Sequence, residues 1–209
     1  ATLKGRVLEA VPFDGRRLKT LLGLVREPIP EFTILGGMMV NQEDVLNLLA
    51  ATRSPKALLH SLKILGRHAR DRLTHDRGTR LMMGNALIAR LLLSLQERAV
   101  PILMQTQIDS IAVEGVRVTG VSLTQSGRTQ SIAVRGGLIA ATGGFNRHPV
   151  RRQEMLRKPV PDYCPGAPGH TGQLHDLLLD LGAYYGADGR DTAFWTPVSV
   201  RARSDGTTA

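Results

Sequence analysis

The spacing of apolar residues changes character several times along this chain, and the changes divide it into elements. Up to about residue 40 no period is sustained. Val7 to Phe13 reads as a short strand, Asp14-Gly15 as a turn, and Pro28 and Pro30 as breaks, so this stretch is expected to be extended chain over a larger body. A helical period begins after Asn41, a good N-cap, with Glu43 and Asp44 in the first turn and Val45, Leu46, Leu48 and Leu49 as the apolar face. Ser54-Pro55 restarts the helix, because serine caps and proline is tolerated in the first position. Leu58, Leu62, Leu65, Ala69 and Leu73 then recur at helical spacing until a turn at Gly78. A third helix is expected from Asn85, using Leu87, Ile88, Leu91, Leu92 and Leu95.

Beyond residue 100 the period becomes two. Residues 102–113, 116–123 and 128–134 read as strands of an antiparallel meander, turning at Glu114-Gly115 and at Gln125-Ser126-Gly127. Leu138 to Gly144 is apolar without alternation, which predicts a strand buried on both faces, as in a parallel sheet. An irregular proline-rich stretch follows to Gly169. A helix from Thr171 to Leu181 comes next, with Thr171 as its N-cap and Gly182 as its stop. Residues 194–209 begin like a strand and break off at a turn, an ending expected of a piece of a longer protein. The fold class is therefore α/β (α+β), with a mixed sheet.

Composition narrows the class. The chain is 42% hydrophobic and 22% charged, enough apolar material for a core and too little charge for disorder. Its net charge of +9 is concentrated between Arg53 and Arg80, where eight Lys or Arg face only Asp71 and Asp76. Such a face attracts anions. No zinc-finger spacing or aromatic RNA-binding motif accompanies it, so nucleic acid is not the expected partner, and a basic module docking some other anion is the alternative. The single Cys164 excludes an internal disulfide, and no run reaches the roughly 18 apolar residues of a membrane span. A cytoplasmic protein is expected. His170 and His175 are five apart, without helical ligand spacing, and no metal site is expected.

The strongest local signal for chemistry is Ala141-Thr142-Gly143-Gly144-Phe145. A strand ending in glycines puts bare backbone at a sheet edge, where a ligand can approach the N–H groups. Alone, such a run is also an ordinary turn. Its setting is more specific. A helix near Gly84 is followed by Thr106-Gln107-Ile108, by Gly115-Val116-Arg117-Val118-Thr119-Gly120-Val121, by Ala141 to Phe145, by Gly169-His170-Thr171-Gly172-Gln173, by Gly182-Ala183 and by Phe194-Trp195-Thr196-Pro197. This succession resembles the FAD-dependent flavoproteins of the fumarate reductase, succinate dehydrogenase and 3-ketosteroid dehydrogenase group, the ketosteroid branch above all. The likeness covers about residues 80–200 and departs at His170, where the group has Asn, and at Gln173, where it has Asp.

The resemblance implies an FAD cofactor and hydride transfer to or from a carbon–carbon bond adjacent to a carbonyl, in a ketosteroid-like or fumarate-like substrate. It implies that residues 1–80 are a helical substrate or capping region and 81–209 a partial FAD-binding domain. Thr106 and Ile108 would border the adenine end. Ala141, Thr142, Gly143 and Gly144 would line the cofactor cleft, and Thr171 and Gly172 would lie by the isoalloxazine. Phe194 and Trp195 would form an apolar substrate wall suited to a small hydrophobic ketone or enoate, core packing being the plainer role for both. Asp162, Tyr163 and Tyr184-Tyr185 are further titratable groups, with surface or packing roles expected. The G-x-G-x-x-G turn that holds a dinucleotide pyrophosphate is not found, since the glycine-rich spots have the wrong spacing. Catalytic residues are accordingly unassigned, the chain alone is expected to be inactive, and self-association of exposed apolar surface is expected.

Overall fold

The stretch expected to be extended chain supplies the first core. In the computed structural model, which describes residues 10–184, 186 and 192–208, Gly15–Leu24 winds as a 3₁₀ helix with a break at Lys19. Its Leu18 and Leu22 are buried with Phe13, Val25, Leu81, Ala86 and Ala89 in one cluster. The expectation failed because Arg16 and Arg17 before Leu18, and Lys19 and Thr20 after it, hid the spacing of Leu18 and Leu22. Of the strand foreseen at Val7 to Phe13, residues 7–9 lie outside those described. The strand that forms is β1, Phe13–Asp14, which pairs antiparallel with β4, Arg80–Leu81. Asp14 caps the 3₁₀ helix through its side chain. Gly15 donates its N–H to Thr79 O at 2.7 Å, and a Cβ on it would meet Leu22 Cδ1 at 2.8 Å, so only glycine fits this approach. Leu81 is fully buried in the cluster. Leu81→Ala is expected to cost about 2–5 kcal/mol, read as a lower urea midpoint for the chain.

Between these strands lie β2 (Thr33–Ile34) and β3 (Met38–Met39), an antiparallel pair around Leu35-Gly36-Gly37, all three at positive φ. Helix α1, Gln42–Leu49, starts at the expected cap, and α2, Pro55–Arg72, starts after Ser54 as its sequence requires. Their buried faces are not the expected leucine stripes. In α2 the inward residues are Ala57, Ser61, Ile64, His68 and Asp71, while Leu58, Leu62 and Leu73 face out, Leu73 at 84% exposure. In α1 the buried residue is Asp44, and Val45, Leu46 and Leu49 are exposed. Helix α3, Met83–Glu97, likewise buries Ala86 and Ala89 and exposes Leu87, Ile88 and Leu91. Hydrophobic spacing finds an apolar face but not its partner. Here small and polar residues permit the close packing, and hydrogen bonds pair the polar ones.

That pairing is dense. Asp44 closes a capping box with Asn41, bonding in both directions at 2.9 and 3.0 Å. The same carboxylate takes Arg80 Nη1 at 2.7 Å and His60 Nε2 at 2.8 Å. Asp71 accepts from the backbone and hydroxyl of Thr79 at 3.0 and 2.7 Å. Burial pushes the Asp44 carboxyl up, but the bonds from Arg80, the Asn41 N–H and His60 outweigh it and hold the group below the ordinary carboxylate range.

The chain divides into two compact units after Ile102, so α3 packs in the first unit, beyond the boundary expected at residue 80. The second unit opens with the expected meander, β5 (Thr106–Glu114), β6 (Arg117–Gln125) and β7 (Arg128–Ala133). Both turns fall where foreseen, with Gly115, Ser126 and Gly127 at positive φ. Val121 and Leu123 are buried on β6. The strand expected at Leu138 to Gly144 does not form. Those residues are irregular and Ile139 is 91% exposed, because no strand among the described residues lies beside them to take up their backbone groups. Among the described residues the sheets are all antiparallel rather than the mixed sheet expected, and the fold remains α/β in its mixture of helices and strands.

A helix not foreseen, α4, spans Pro149–Met155, with proline in its first turn and the His148 ring accepting from Arg151 N. The last helix, α5, is Gln173–Asp180. Its N-cap is Gly172 at φ 68, not Thr171, which is one residue too early and makes no cap bond. Its end is as expected: Gly182 at φ 84 follows the last turn, and the N–H groups of Gly182 and Ala183 return to Leu179 O and Leu178 O at 2.9 Å.

Candidate functional site

The second unit gathers the expected cofactor residues from three segments. Thr106 and Ile108 stand at the start of β5, paired with Gln125 and Leu123 of β6. Thr142 lies in the glycine turn after the meander. Thr171 and Gly172 stand at the entry to α5, which packs against β5. Together with Gln107, Gly169, Gln173 and Leu174 these residues line one cavity of about 170 Å³. Thr106 Oγ1 already donates to Met104 O at 3.0 Å. Thr142 and Thr171 are exposed and add two further hydroxyls to the lining.

Ala141, Gly143 and Gly144 lie outside this lining. The open side of Gly143 is taken by the His170 ring, whose Nε2 would stand 2.8 Å from a Cβ there. His175 Nε2 lies 3.2 Å from Gly143 O. Gly169 and Gly144 are the bare positions. A Cβ on Gly169 would meet nothing within 4 Å, and one on Gly144 would meet only Asn146 Oδ1 at 3.6 Å. Sequence reasoning missed Gly169, Gln107, Gln173 and Leu174 as lining residues. Gln107 is the middle of the Thr-x-Ile step and Gly169 opens the Gly-His-Thr-Gly run, so both belong to motifs that carry the resemblance.

Phe194 and Trp195 are on a different cavity of the same unit, about 410 Å³, with Phe145, Arg152, Tyr163 and Cys164 in its wall. Both aromatics are largely exposed, so core packing does not hold them. Arg152 donates to Asn146 O at 3.0 Å and to Pro161 O, and Arg147 to Cys164 O and Gly166 O at 2.8 and 2.9 Å, so two guanidiniums fix the loop that carries Tyr163 and Cys164. Of the tyrosine pair, Tyr184 is exposed and Tyr185 lies outside the described residues. A larger cavity, about 760 Å³, belongs to the first unit and is lined by Phe32, Ile34, Val40, Val45 and Leu87 among others. It holds none of the residues singled out for chemistry, and volume alone does not make it the site.

A cofactor can be tested against the smaller cavity. At about 170 Å³ it is below the roughly 300–1,000 Å³ of pockets that enclose a whole drug-sized ligand, so it can take only part of a dinucleotide. Its chemistry fits such a part. Hydroxyls of Thr142 and Thr171, the amides of Gln107 and Gln173, and the uncluttered main chain at Gly169 offer donors and acceptors, beside apolar Ile108 and Leu174.

The second unit thus sets a glycine turn and a threonine-lined cleft beside a meander. The family model for the FAD binding domain matches residues 3–209, and the chain belongs to that family. FAD is its cofactor. Among curated relatives, the 3-oxosteroid 1-dehydrogenase of Mycolicibacterium smegmatis is 33% identical over 201 residues, covering 92% of this chain and 34% of that protein. The 3-oxosteroid 1-dehydrogenase of Comamonas testosteroni is 29% identical over 161 residues, covering 75% and 28%. The crystal structure of 3-ketosteroid delta1-dehydrogenase from Sterolibacterium denitrificans, in complex with 1,4-androstadiene-3,17-dione, superposes with a TM-score of 0.70 at 28% identity, over 84% of this chain and 32% of that one. The chain thus spans about a third of the length of the relatives it matches. The alternative of a basic docking module finds no support. The family match runs through the basic stretch, and there Arg67 and Arg80 are paired with Asp14 and Asp44. No helix among the described residues is long and apolar enough to cross a membrane.

Proposed function

We propose that this chain is part of a flavoprotein oxidoreductase that moves a hydride between FAD and a carbon–carbon bond beside the carbonyl of an apolar, steroid-like ketone. The observation that carries the reading is the convergence of Thr106, Ile108, Thr142, Thr171 and Gly172, from three separate segments, on one cavity. When bound, FAD supplies the hydride chemistry, and the protein binds, orients and polarises. Thr142 and Thr171 offer their hydroxyls to the cofactor's polar edge, while Ile108 and Leu174 shield its apolar surface. Phe194 and Trp195 form the wall against which a flat hydrophobic ketone packs, which favours such a substrate over a small dicarboxylate. The names of the relatives support the ketosteroid choice. A cytoplasmic setting belongs to the same proposal, supported by a single cysteine. So does self-association of the isolated chain, supported by the outward leucines of α1, α2 and α3.

The test is an absorbance and fluorescence titration of the purified chain with FAD. Saturable binding is expected. A linear, unsaturable response would remove the claim that these residues build the cleft. In the protein containing this chain, an apolar 3-keto steroid is expected to reduce a redox dye and succinate is not. The reverse preference would overturn the substrate assignment.

A further inference from the structure

We propose that His170 and His175 clamp the Thr142–Gly144 turn and thereby act as positioning residues for the cofactor cleft. The inference rests on the flavin reading above. Gly143 sits at φ 83, which glycine adopts without steric cost but can also leave as freely, so the position of the turn is set by what touches it. Two imidazoles do so by different chemistry. The ring of His170 lies against the Gly143 Cα, filling the place where any other residue would carry a side chain. His175 Nε2 stands 3.2 Å from Gly143 O. A carbonyl only accepts, so that nitrogen carries the proton and donates. The segment that follows the turn is bonded to the same histidine, Arg147 N donating to His170 O at 2.9 Å.

Neither ring lines the cavity, whereas Thr142, Thr171 and Gly172 do. The histidines therefore act on the cofactor only through the turn. Their roles differ. His170 Nδ1 is buried with no hydrogen-bond partner among the described residues, so that ring holds by shape. His175 holds by its donated bond.

The experiment combines amide hydrogen exchange of the free chain with FAD titration, for His170→Ala, His170→Phe, His175→Ala and His175→Gln. Exchange of the hydrogen-bonded amides of Arg147 and His148, beside the turn, is expected to rise, and FAD affinity to fall, by about tenfold in each alanine variant, the loss of one hydrogen bond or equivalent packing contact. His170→Phe, which keeps a ring, and His175→Gln, which keeps a donor, are expected to stay within about threefold of wild type. Unchanged exchange at the Arg147 and His148 amides in both alanine variants overturns the clamp. A rise spread evenly over the second unit overturns it as well, since that is general destabilisation. Local loosening with FAD affinity intact overturns the positioning role. If the wild-type chain binds no FAD, the flavin reading and the positioning role fall together, while exchange still decides whether the clamp exists.

Discussion

Asp44→Ala is expected to destabilise the first unit by about 3–5 kcal/mol, the usual result of removing one partner from a buried ion pair. Asp44 is 1% exposed and serves three elements at once. It closes the capping box of α1 with Asn41, receives Arg80 of β4, and receives His60 of α2. The substitution leaves the Arg80 guanidinium, itself 18% exposed, with Met39 O at 3.4 Å as its remaining partner among the described residues. Asp44→Asn separates the contributions, because the amide oxygen keeps part of the cap while the charge is lost. It is expected to fall between wild type and alanine in urea unfolding. The sign of the pH dependence follows from the depressed folded-state value. A carboxyl held below its ordinary range stabilises fully above its unfolded pKa of about 3.9 and stops doing so as pH falls through the lower folded value. Wild type should therefore lose stability below about pH 4 more steeply than Asp44→Asn does. Parallel acid limbs for the two proteins would show that Asp44 is not the titrating contributor.

Thr142→Val combined with Thr171→Val is expected to weaken FAD binding by about ten- to a hundredfold, for two hydrogen bonds to the ligand. Valine is close to threonine in shape, so the form of the cavity is kept and only the hydroxyls go. Both threonines are exposed in the free chain, which predicts little cost to folding. Thr106→Val is the internal control. Its hydroxyl already bonds Met104 O, so it has less to give the ligand. An equal loss of affinity for all three substitutions would point to a general effect on the cleft and against the assignment of Thr142 and Thr171 as direct contacts.

Local structure is legible in the sequence wherever the chain solves its own backbone problem. Asn41 and Ser54-Pro55 mark helix starts because a side-chain oxygen or a proline ring settles the first turn locally. Gly115, Ser126-Gly127 and Gly182 mark turns and a helix end because each takes positive φ. What is illegible depends on neighbours. Leu138 to Gly144 has the composition of a buried strand but no described strand beside it, and the leucines of α2 promise a core face that instead points out. The site shows the same division. Likeness to known flavoproteins assigns Thr106, Ile108, Thr142, Thr171 and Gly172 to one cofactor but to different ends of it, adenine for the first two and isoalloxazine for the last two, whereas the fold lines a single small cavity with all five. His170 and His175 suggest at most a metal pair when read along the chain, because nothing local says that residues 27 and 32 positions on will grip Gly143.

The β5–β6 hairpin sets a length scale. Thr106, beside the cavity, faces Gln125 at one end, and the pairs continue to Glu114 and Arg117 at the other, around a two-residue turn of Gly115 and the fully exposed Val116. Eight residues of strand separate the ends by about 26 Å. A fluorophore on a cysteine at position 116, with Cys164 replaced, would thus sit within useful energy-transfer range of any chromophore held near Thr106. The hairpin turns the protein into a spectroscopic ruler whose zero is the cofactor cleft.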